Sequence, residues 1–357
     1  RPLRRLTTAT APVLGSAVVR PADFAYDLPA ASIAQVPLGD RPSARLLVDL
    51  GDGIRHLTVR DLPELVRPGD VIVLNDTKVL PARLRLAKES GGAVEVLLLE
   101  RVGGTGTCET WEALVRPGRR VALGTVLRPG PDLVATVGGD LGEGRRLVQL
   151  DAAEGVSAAL DRHGEMPLPP YLTTVLDDPD RYQTVYADRP ASAAAPTAGL
   201  HFTDDLLDAC REAGAGIERL ELVVGLDTFR PIIVDDLDDH RMHSEAYEVP
   251  TATLDACRAA DRVLAVGTTT VRALESAARG GAAGRTDLFI RRPFDFEVVD
   301  LLLTNFHLPG STLLVMLEAF VGHGWRDLYA TALAEGYRFL SFGDAMLVAP
   351  GDSGGDS

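Results

Sequence analysis

Cysteine is scarce in this chain of 357 residues: Cys108, Cys210 and Cys257 are the only three, and they lie far apart. Their odd number and the lack of a CxxC pair argue against a disulfide framework and against a zinc ribbon. We therefore expect three reduced thiols.

A long apolar run is also lacking. Segments such as "LLVML" and "LVVGL" are much shorter than a bilayer span of about 20 apolar residues. No charged start followed by an apolar stretch and a small-residue cleavage site marks a signal peptide. We expect a cytoplasmic protein with no membrane partner.

Two common nucleotide-binding patterns are absent. Neither GxxxxGK[ST] nor GxGxxG occurs in the sequence. Their absence argues against a nucleoside triphosphate site and against bound NAD.

Positive charge is in short supply but is unevenly distributed. The net charge of -15 disfavours sequence-blind binding of nucleic acid, because phosphate contacts need clustered Lys and Arg. Residues 1–20 nevertheless hold four arginines and no acid. Two further basic segments contain Lys78, Arg83, Arg85, Lys88, Arg116, Arg119, Arg120 and Arg128. These segments allow a local basic face; a solvated mixed surface is the alternative.

Length and a change of pattern along the chain predict two domains. Between residues 71 and 151, short apolar runs such as "VEVLLLE" alternate with glycine-rich turns, which is typical of an antiparallel barrel or sandwich. From residue 152, helical patterns feed strand-like runs such as "RVLAVG", which predicts an α/β layer. We predict an α/β domain of residues 21–70 and 152–349, a barrel inserted at 71–151, a flexible leader (1–20) and a disordered tail (350–357).

The stretch "AAAPTAGLHFT" places Thr197 and His201 among small residues, directly before a predicted helix that Thr203 would cap. A loop running into a helix start suits a carboxylate or a phosphate, and the small residues leave room for a ligand. We favour a functional His201 over one that only caps or packs.

The stretch "VLAVGTTTVRALES" predicts a strand, a glycine and a helix that begins with threonines. Thr268 and Thr269 would lie at the carboxyl end of the strand, where open α/β sheets bind ligands. Arg272 would follow on the helix.

The stretch "DHRMHSE" brings His240, His243 and Glu245 close together in sequence. The spacing suits metal ligands or an acid/base pair. We favour acid/base or substrate-binding work, because a metal usually needs a further ligand and supporting groups. Surface histidines are the alternative.

Three more segments hold polar residues at predicted strand ends. "LLLTNFHLPGSTLL" carries Asn305 and His307, and "YRFLSFGDAMLV" carries Asp344 in a turn. "VLNDTKVLPARL" carries Asn75, Asp76, Thr77, Lys78 and Arg83. Structural corners and Asx turns explain each segment alone, but together they predict one large composite site.

Ten segments in order, from about residue 21 to 349, resemble the family of S-adenosylmethionine:tRNA ribosyltransferase-isomerases of queuosine biosynthesis. They are "DFAYDLPAASIAQVPL", "LNDTKVLPARL", "WEALVRPGRR", "RYQTVYA", "APTAGLHFT", "TFRP", "HRMHSE", "VGTTTVRALES", "TNFHLPGSTLL" and "YRFLSFGDAML". Ten ordered motifs over nearly the whole chain are far more specific than any single pattern above.

The resemblance implies both a reaction and a fold. The ribosyl part of S-adenosylmethionine would move to the aminomethyl group of a 7-deazaguanine at the tRNA wobble position, giving epoxyqueuosine, adenine and methionine. The implied fold is an α/β/α sandwich domain with an inserted antiparallel β-barrel. S-adenosylmethionine would be a co-substrate, with no metal and no second cofactor. The tRNA anticodon stem-loop would be the partner, and we expect a monomer.

The resemblance also suggests roles. A sulfonium acidifies the ribose C5′ hydrogens, so one base could start the reaction and expel adenine. We expect His201 or His243 to be that base. The other catalytic candidates are Glu245 and His307. Predicted substrate contacts are Asn75, Asp76, Thr77, Thr197, His240, Thr268, Thr269, Asn305 and Asp344. Arg230 and Arg272 would hold the methionine carboxylate or tRNA phosphates, and Lys78, Arg83, Arg116 and Arg119 would meet the stem-loop.

The chain departs from the family pattern at Val223, Asp227 and Gly310. An added carboxylate at Asp227 would repel an anionic partner or bind a cationic amine. Two other hypotheses follow. The first is a paralogue that uses the same donor on a small-molecule acceptor, or a lyase that cleaves S-adenosylmethionine. The second is a non-catalytic RNA-binding relative.

Overall fold

The computed structural model describes residues 18–142, 144–225 and 232–351. The predicted tail therefore falls mostly outside the described residues, and so do most of the predicted leader, Asp227 and Arg230.

The described residues form six α-helices and a larger set of strands. The helices are α1 (Val156–His163), α2 (Asp204–Glu212), α3 (Thr251–Ala259), α4 (Thr268–Gly280), α5 (Thr312–Val321) and α6 (Trp325–Ala334). The strands are β1 (Arg45–Asp49), β2 (Arg55–Thr58), β3 (Asp70–Asn75), β4 (Lys78–Val79), β5 (Arg83–Lys88), β6 (Ala93–Thr105), β7 (Cys108–Arg116), β8 (Val126–Gly130), β9 (Leu133–Gly142), β10 (Arg145–Asp151), β11 (Gly164–Glu165), β12 (Pro190–Ser192), β13 (Gly216–Leu222), β14 (Glu245–Glu248), β15 (Arg262–Val266), β16 (Ala283–Thr286), β17 (Leu301–Asn305) and β18 (Ala345–Val348).

The chain divides into two compact units. One, the α/β domain, holds the described residues up to Asp76, residues 197–222 and residues 232–351; the other, the barrel domain, is built mainly from Thr77–Pro196. The boundaries differ from the predicted 71 and 151. Strand β3 pairs with β13 and β15 in the α/β domain, and residues 152–196 belong with the barrel.

A mixed sheet forms the centre of the α/β domain. Among the described residues its order is β16-β14-β13-β3-β15-β17-β18-β1-β2. The four central strands β13, β3, β15 and β17 run parallel, whereas β18 runs antiparallel to β17. The carboxyl ends of the four parallel strands therefore meet at one edge, where β18 begins.

Local sequence explains where the helices begin. The Thr203 hydroxyl accepts a hydrogen bond from Leu206 N at 3.2 Å and caps α2, and Ser311 caps α5 through Leu314 N at 3.3 Å. Gly267, at φ 89°, joins β15 to α4, and this left-handed conformation favours glycine. The predicted Thr203 cap and the strand-glycine-helix unit are confirmed.

The barrel domain closes on itself. Strands β5-β6-β7-β10-β9-β8 are antiparallel neighbours in that order, and β8 pairs again with β5. Alternating residues point inward, as in β7, where Trp111, Ala113 and Val115 are buried. The predicted fold class, α/β with an inserted antiparallel barrel, is confirmed.

None of the helices in the described part of the chain has the length and apolar character needed to cross a bilayer.

Candidate functional site

Polar side chains gather where the parallel strands of the α/β domain end. Asn75 ends β3, Asn305 ends β17, and Thr268 and Thr269 open the helix after β15. Asp344 directly precedes β18, whose first residue pairs with Asn305. The carboxyl edge of an open α/β sheet is the usual place for ligands, so the structure brings these predicted site residues together.

Asn305 is the hub of this edge. Its Oδ1 accepts a hydrogen bond from Thr197 Oγ1 at 2.9 Å. Its Nδ2 lies 3.0 Å from His201 Nε2 and 3.3 Å from the carbonyl oxygen of Asp344. The amide thereby joins β17 to the Thr197–His201 3-10 helix and to the start of β18.

His201 is buried, with 5% of its surface exposed. Burial, with smaller contributions from the cations of Arg41 and Arg338, lowers the pKa of His201 to about 4. The ring is therefore neutral at physiological pH.

Asn75 is buried and serves the backbone. Its Nδ2 donates to Leu222 O at 3.0 Å and its Oδ1 accepts from Leu222 N at 3.1 Å, so it binds the end of β13 to β3. A longer contact of 3.3 Å reaches Thr269 Oγ1. Asn75 thus also contacts the first turn of α4 through Thr269.

His307 lies two residues beyond Asn305 and is also buried. Its Nε2 contacts Thr304 Oγ1 at 3.2 Å, its backbone N–H donates to Tyr329 Oη at 2.8 Å, and its carbonyl accepts from Tyr26 Oη. Burial lowers the pKa of His307 to about 3. The two tyrosines hold the backbone of this residue in place.

Glu245 and Arg272, two predicted ligand-binding or catalytic residues, pair with each other. Both are buried, and the Arg272 guanidinium contacts the Glu245 carboxylate. The guanidinium also donates to Leu288 O at 3.2 Å and to Thr286 O at 3.4 Å. These bonds engage all three nitrogens of Arg272 within the domain.

His243 and His240 precede β14, which runs antiparallel to β13. The segment that leads into Glu245 therefore lies at the edge where β13 ends. His243 is half-buried. His240 packs edge-on against Phe289, with 5.1 Å between ring centroids, and burial, with a smaller contribution from His243, lowers its pKa.

Asp344 is buried, and this burial raises the pKa of its carboxyl group despite two backbone hydrogen bonds. Its Oδ1 accepts from Arg45 N at 2.9 Å and its Oδ2 accepts from Arg338 N at 2.8 Å. Its carboxylate therefore ties three chain segments together.

The remaining predicted residues are divided between the two domains and the part of the chain outside the described residues. Asp76 belongs to the α/β domain, where its backbone N–H donates to Leu220 O at 3.0 Å. Thr77, Lys78, Arg83, Arg116 and Arg119 belong to the barrel domain, in which Thr77 Oγ1 lies 2.6 Å from Ser192 Oγ. Arg230 lies outside the described residues.

Sequence reasoning missed four residues that shape the site. Arg41 and Arg338 contribute positive charge near His201, and Tyr26 and Tyr329 hold His307. Tyr26 and Arg338 fall within quoted segments, "DFAYDLP" and "YRFLSFGDAML", but no local pattern marks them. Arg41 and Tyr329 carry no sequence signal.

The described residues contain no group of three or more His, Cys, Asp or Glu side chains placed to hold a metal ion.

The fold and this edge define an α/β protein with a candidate ligand site at the carboxyl ends of its parallel strands and an inserted barrel. A family profile described as "Queuosine biosynthesis protein" matches residues 21–348. The chain belongs to this family.

Individual relatives agree with that assignment. A protein named S-adenosylmethionine:tRNA ribosyltransferase-isomerase from Rubrobacter xylanophilus is 49% identical over 93% of this chain and 98% of its own. Its namesake from Moorella thermoacetica is 49% identical over 91% and 98%. The crystal structure of an S-adenosylmethionine tRNA ribosyltransferase from Thermotoga maritima is similar, with a TM-score of 0.52, 35% identity and coverage of 91% of this chain and 99% of that chain.

Proposed function

We propose that this protein is an S-adenosylmethionine:tRNA ribosyltransferase-isomerase. It moves the ribosyl part of S-adenosylmethionine onto a 7-aminomethyl-7-deazaguanine at the tRNA wobble position, where it forms epoxyqueuosine and releases adenine and methionine. The names of relatives that match almost the full chain at 46–49% identity support this activity. S-adenosylmethionine is then a co-substrate.

The observation that carries the site is the Thr197–Asn305–His201 chain at the carboxyl edge. Its members come from the two motifs, "APTAGLHFT" and "TNFHLPGSTLL", that stand out most in the sequence. A buried neutral histidine beside an open strand edge is a typical element of a catalytic site. Thr268 and Thr269, at the same edge, offer hydroxyl groups to the donor.

We assign the general base to His243. The sulfonium of S-adenosylmethionine acidifies the C5′ hydrogens, and a base must accept one of them. Glu245 is occupied by Arg272. His307 is deeply buried, and its pKa of about 3 makes it a weak base. His243 is half-buried at the same edge, which leaves it within reach of a bound substrate.

A group of cations in the barrel domain supplies a surface for tRNA phosphates. We define the basic rim as Lys88, Arg116, Arg119, Arg120 and Arg128. Lys88 Nζ donates a hydrogen bond to Arg120 O. Arg128 on β8 lies opposite Ala87 on β5, the residue before Lys88. Arg116, Arg119, Arg120 and Arg128 are exposed.

The basic rim differs from five other arginines of the barrel domain. Arg85, Arg101, Arg145, Arg146 and Arg162 each form an ion pair with a carboxylate. No rim residue has such a partner within 4 Å in the described part of the chain. These cations have no carboxylate partner among the described residues, although the protein has a net charge of -15. Such cations are suited to binding phosphate groups of a nucleic acid, which releases counterions from its backbone.

The activity is tested by incubating the protein with S-adenosylmethionine and an anticodon stem-loop that carries the aminomethyl deazaguanine. Both products are detected by mass spectrometry. We expect adenine together with an epoxycyclopentane adduct on the RNA. Adenine released only with the free base would instead support the small-molecule acceptor. No adenine under any condition would exclude the proposed function.

The rim is tested by the salt dependence of stem-loop binding. We expect Arg116→Ala together with Arg119→Ala to reduce the slope of log affinity against log salt by about 0.7–0.9 per arginine. Arg85→Ala is the matched control, because Arg85 is exposed but already paired with Glu165. Equal slopes for all three proteins would remove the rim from the proposal.

A tRNA substrate also implies action in the cytoplasm. That the protein acts as a monomer stays a prediction, which sedimentation velocity would check.

A further inference from the structure

The orientation of the Asn305 amide is fixed by its neighbours. The Asp344 carbonyl oxygen, 3.3 Å away, can only accept a hydrogen bond, so the amide atom that faces it must be the nitrogen. The opposite orientation would set two acceptor oxygens against each other. The Thr197 hydroxyl, 2.9 Å from Oδ1, then donates to that oxygen.

This orientation determines the tautomer of His201. The same Asn305 Nδ2 lies 3.0 Å from His201 Nε2. Because an amide nitrogen carries only donor hydrogens, Nε2 must accept and cannot hold a proton. The proton of the neutral ring therefore resides on Nδ1.

The charges around the ring keep it neutral. Arg41 and Arg338 place positive charge near His201, and burial disfavours an imidazolium cation. The Asp344 carboxylate accepts hydrogen bonds from the backbone N–H groups of Arg45 and Arg338, and no carboxylate of the described residues is among the groups that shift the pKa of His201.

The free nitrogen of His201 is a donor. Nδ1 makes no hydrogen bond within the described residues, and Nε2 is occupied by Asn305. A bound molecule can therefore meet only the Nδ1–H group.

We propose that Asn305 is a positioning residue that fixes His201 as the Nδ1–H tautomer, so that His201 acts as a hydrogen-bond donor to the substrate and not as a base. This inference rests on the proposed function. The hydrogen-bond acceptor is a substrate atom whose lone pair gains negative charge as the reaction proceeds. A ring nitrogen of the departing adenine has this character. Such a donor stabilises charge that develops in the transition state.

The tautomer is tested without reference to activity. ¹⁵N NMR of histidine-labelled protein distinguishes a protonated from an unprotonated ring nitrogen, and His201→Asn assigns the signal by its loss. We expect Nδ1 of His201 to be protonated and Nε2 to be unprotonated. In Asn305→Asp a carboxylate faces Nε2, so we expect the proton to move to Nε2. A wild-type ring with its proton on Nε2 would overturn the proposal.

The donor role is tested by one substitution of His201 that keeps a donor and one that removes it. The amide nitrogen of His201→Asn can occupy the position of Nδ1 and still donate, but it cannot accept a proton as a base. We expect His201→Asn to keep kcat within about tenfold of wild type, whereas His201→Ala loses about 10²–10³-fold, the usual loss for one such donor. Equal, complete losses in both variants would indicate a base and would overturn the proposal.

Asn305→Asp separates positioning from mere structural support. We expect a kcat loss similar to that of His201→Ala, an unchanged KM, and a new inflection in the pH profile as the carboxylate favours a charged ring. Unchanged kcat in a variant whose tautomer has moved would contradict the donor role. If wild type releases no adenine, the proposed function fails, but the NMR measurement still decides the tautomer.

Discussion

Arg272 and Glu245 form an ion pair in which both side chains are buried, at 6% and 8% exposure. Glu245 was predicted to be catalytic, and Arg272 was predicted to hold the methionine carboxylate or tRNA phosphates. The pair instead joins the second turn of α4 to the start of β14, and the guanidinium also binds the carbonyls of Thr286 and Leu288. A buried pair of this kind holds its segments in place when complete and is costly when broken.

Glu245→Gln removes the negative partner and leaves Arg272 as an uncompensated buried charge. We expect the free energy of unfolding to fall by about 3–5 kcal/mol. Urea titration followed by circular dichroism measures this value. Asp255→Asn breaks the exposed pair between Asp255 and Arg258, joined at 2.7 Å, and should change the free energy by no more than about 1 kcal/mol. Equal effects would show that burial of the Glu245 pair contributes nothing.

Acid should weaken the fold through the two buried histidines. Their folded-state pKa values, about 4 for His201 and about 3 for His307, lie below the ordinary value of 6.5. As pH falls below 6.5, both histidines become protonated in the unfolded chain but stay neutral in the folded chain. The free energy of unfolding then falls by up to about 1.4 kcal/mol per pH unit for each group, and above pH 7 this contribution is complete.

His307→Gln checks this pH dependence. We expect a shallower loss of stability between pH 6.5 and 5 than in wild type, whatever the change at pH 7. Urea titrations at closely spaced pH values give both slopes. Parallel curves would contradict the assignment of a low pKa to His307.

Asn75→Ala removes the side chain that satisfies both backbone groups of Leu222. We expect a loss of about 1–3 kcal/mol, the cost of leaving buried polar groups without partners. Thr269→Val is the control, since it removes only the longer 3.3 Å contact to Asn75 and should cost less than about 1 kcal/mol. Thermal unfolding of the three proteins compares them, and a larger loss in the threonine variant would reverse the assignment.

Glu275→Gln tests a second buried carboxylate. Glu275 Oε1 accepts from Val298 N at 3.0 Å and Val299 N at 3.2 Å, and its Oε2 accepts from Glu297 N at 3.0 Å and binds Arg279. We expect a loss of about 2–4 kcal/mol without a change in KM, because these contacts are structural. A higher KM at unchanged stability would place Glu275 in the substrate site.

Local patterns revealed much of this fold. The capping by Thr203, the strand-glycine-helix unit around Gly267 and the strand that ends at Asn305 all follow from short-range signals. The domain boundaries did not follow. The run "VIVLN" is apolar throughout, so periodicity cannot tell a barrel strand from a central parallel one. Strand β3 is fully buried in the α/β sheet, a fact that depends on its neighbours.

The sequence by itself determined the two kinds of domain, the family and the polar residues at the strand ends, because each depends on the order of nearby residues. Tertiary structure alone decided what those residues do to one another. Arg272 meets Glu245 across 27 positions, and Asn305 meets His201 across 104. Hydrogen-bond direction and burial depend on neighbours in space. The tautomer of His201 and the pairing of Arg272 with Glu245 are therefore set only when the strands have brought these side chains together.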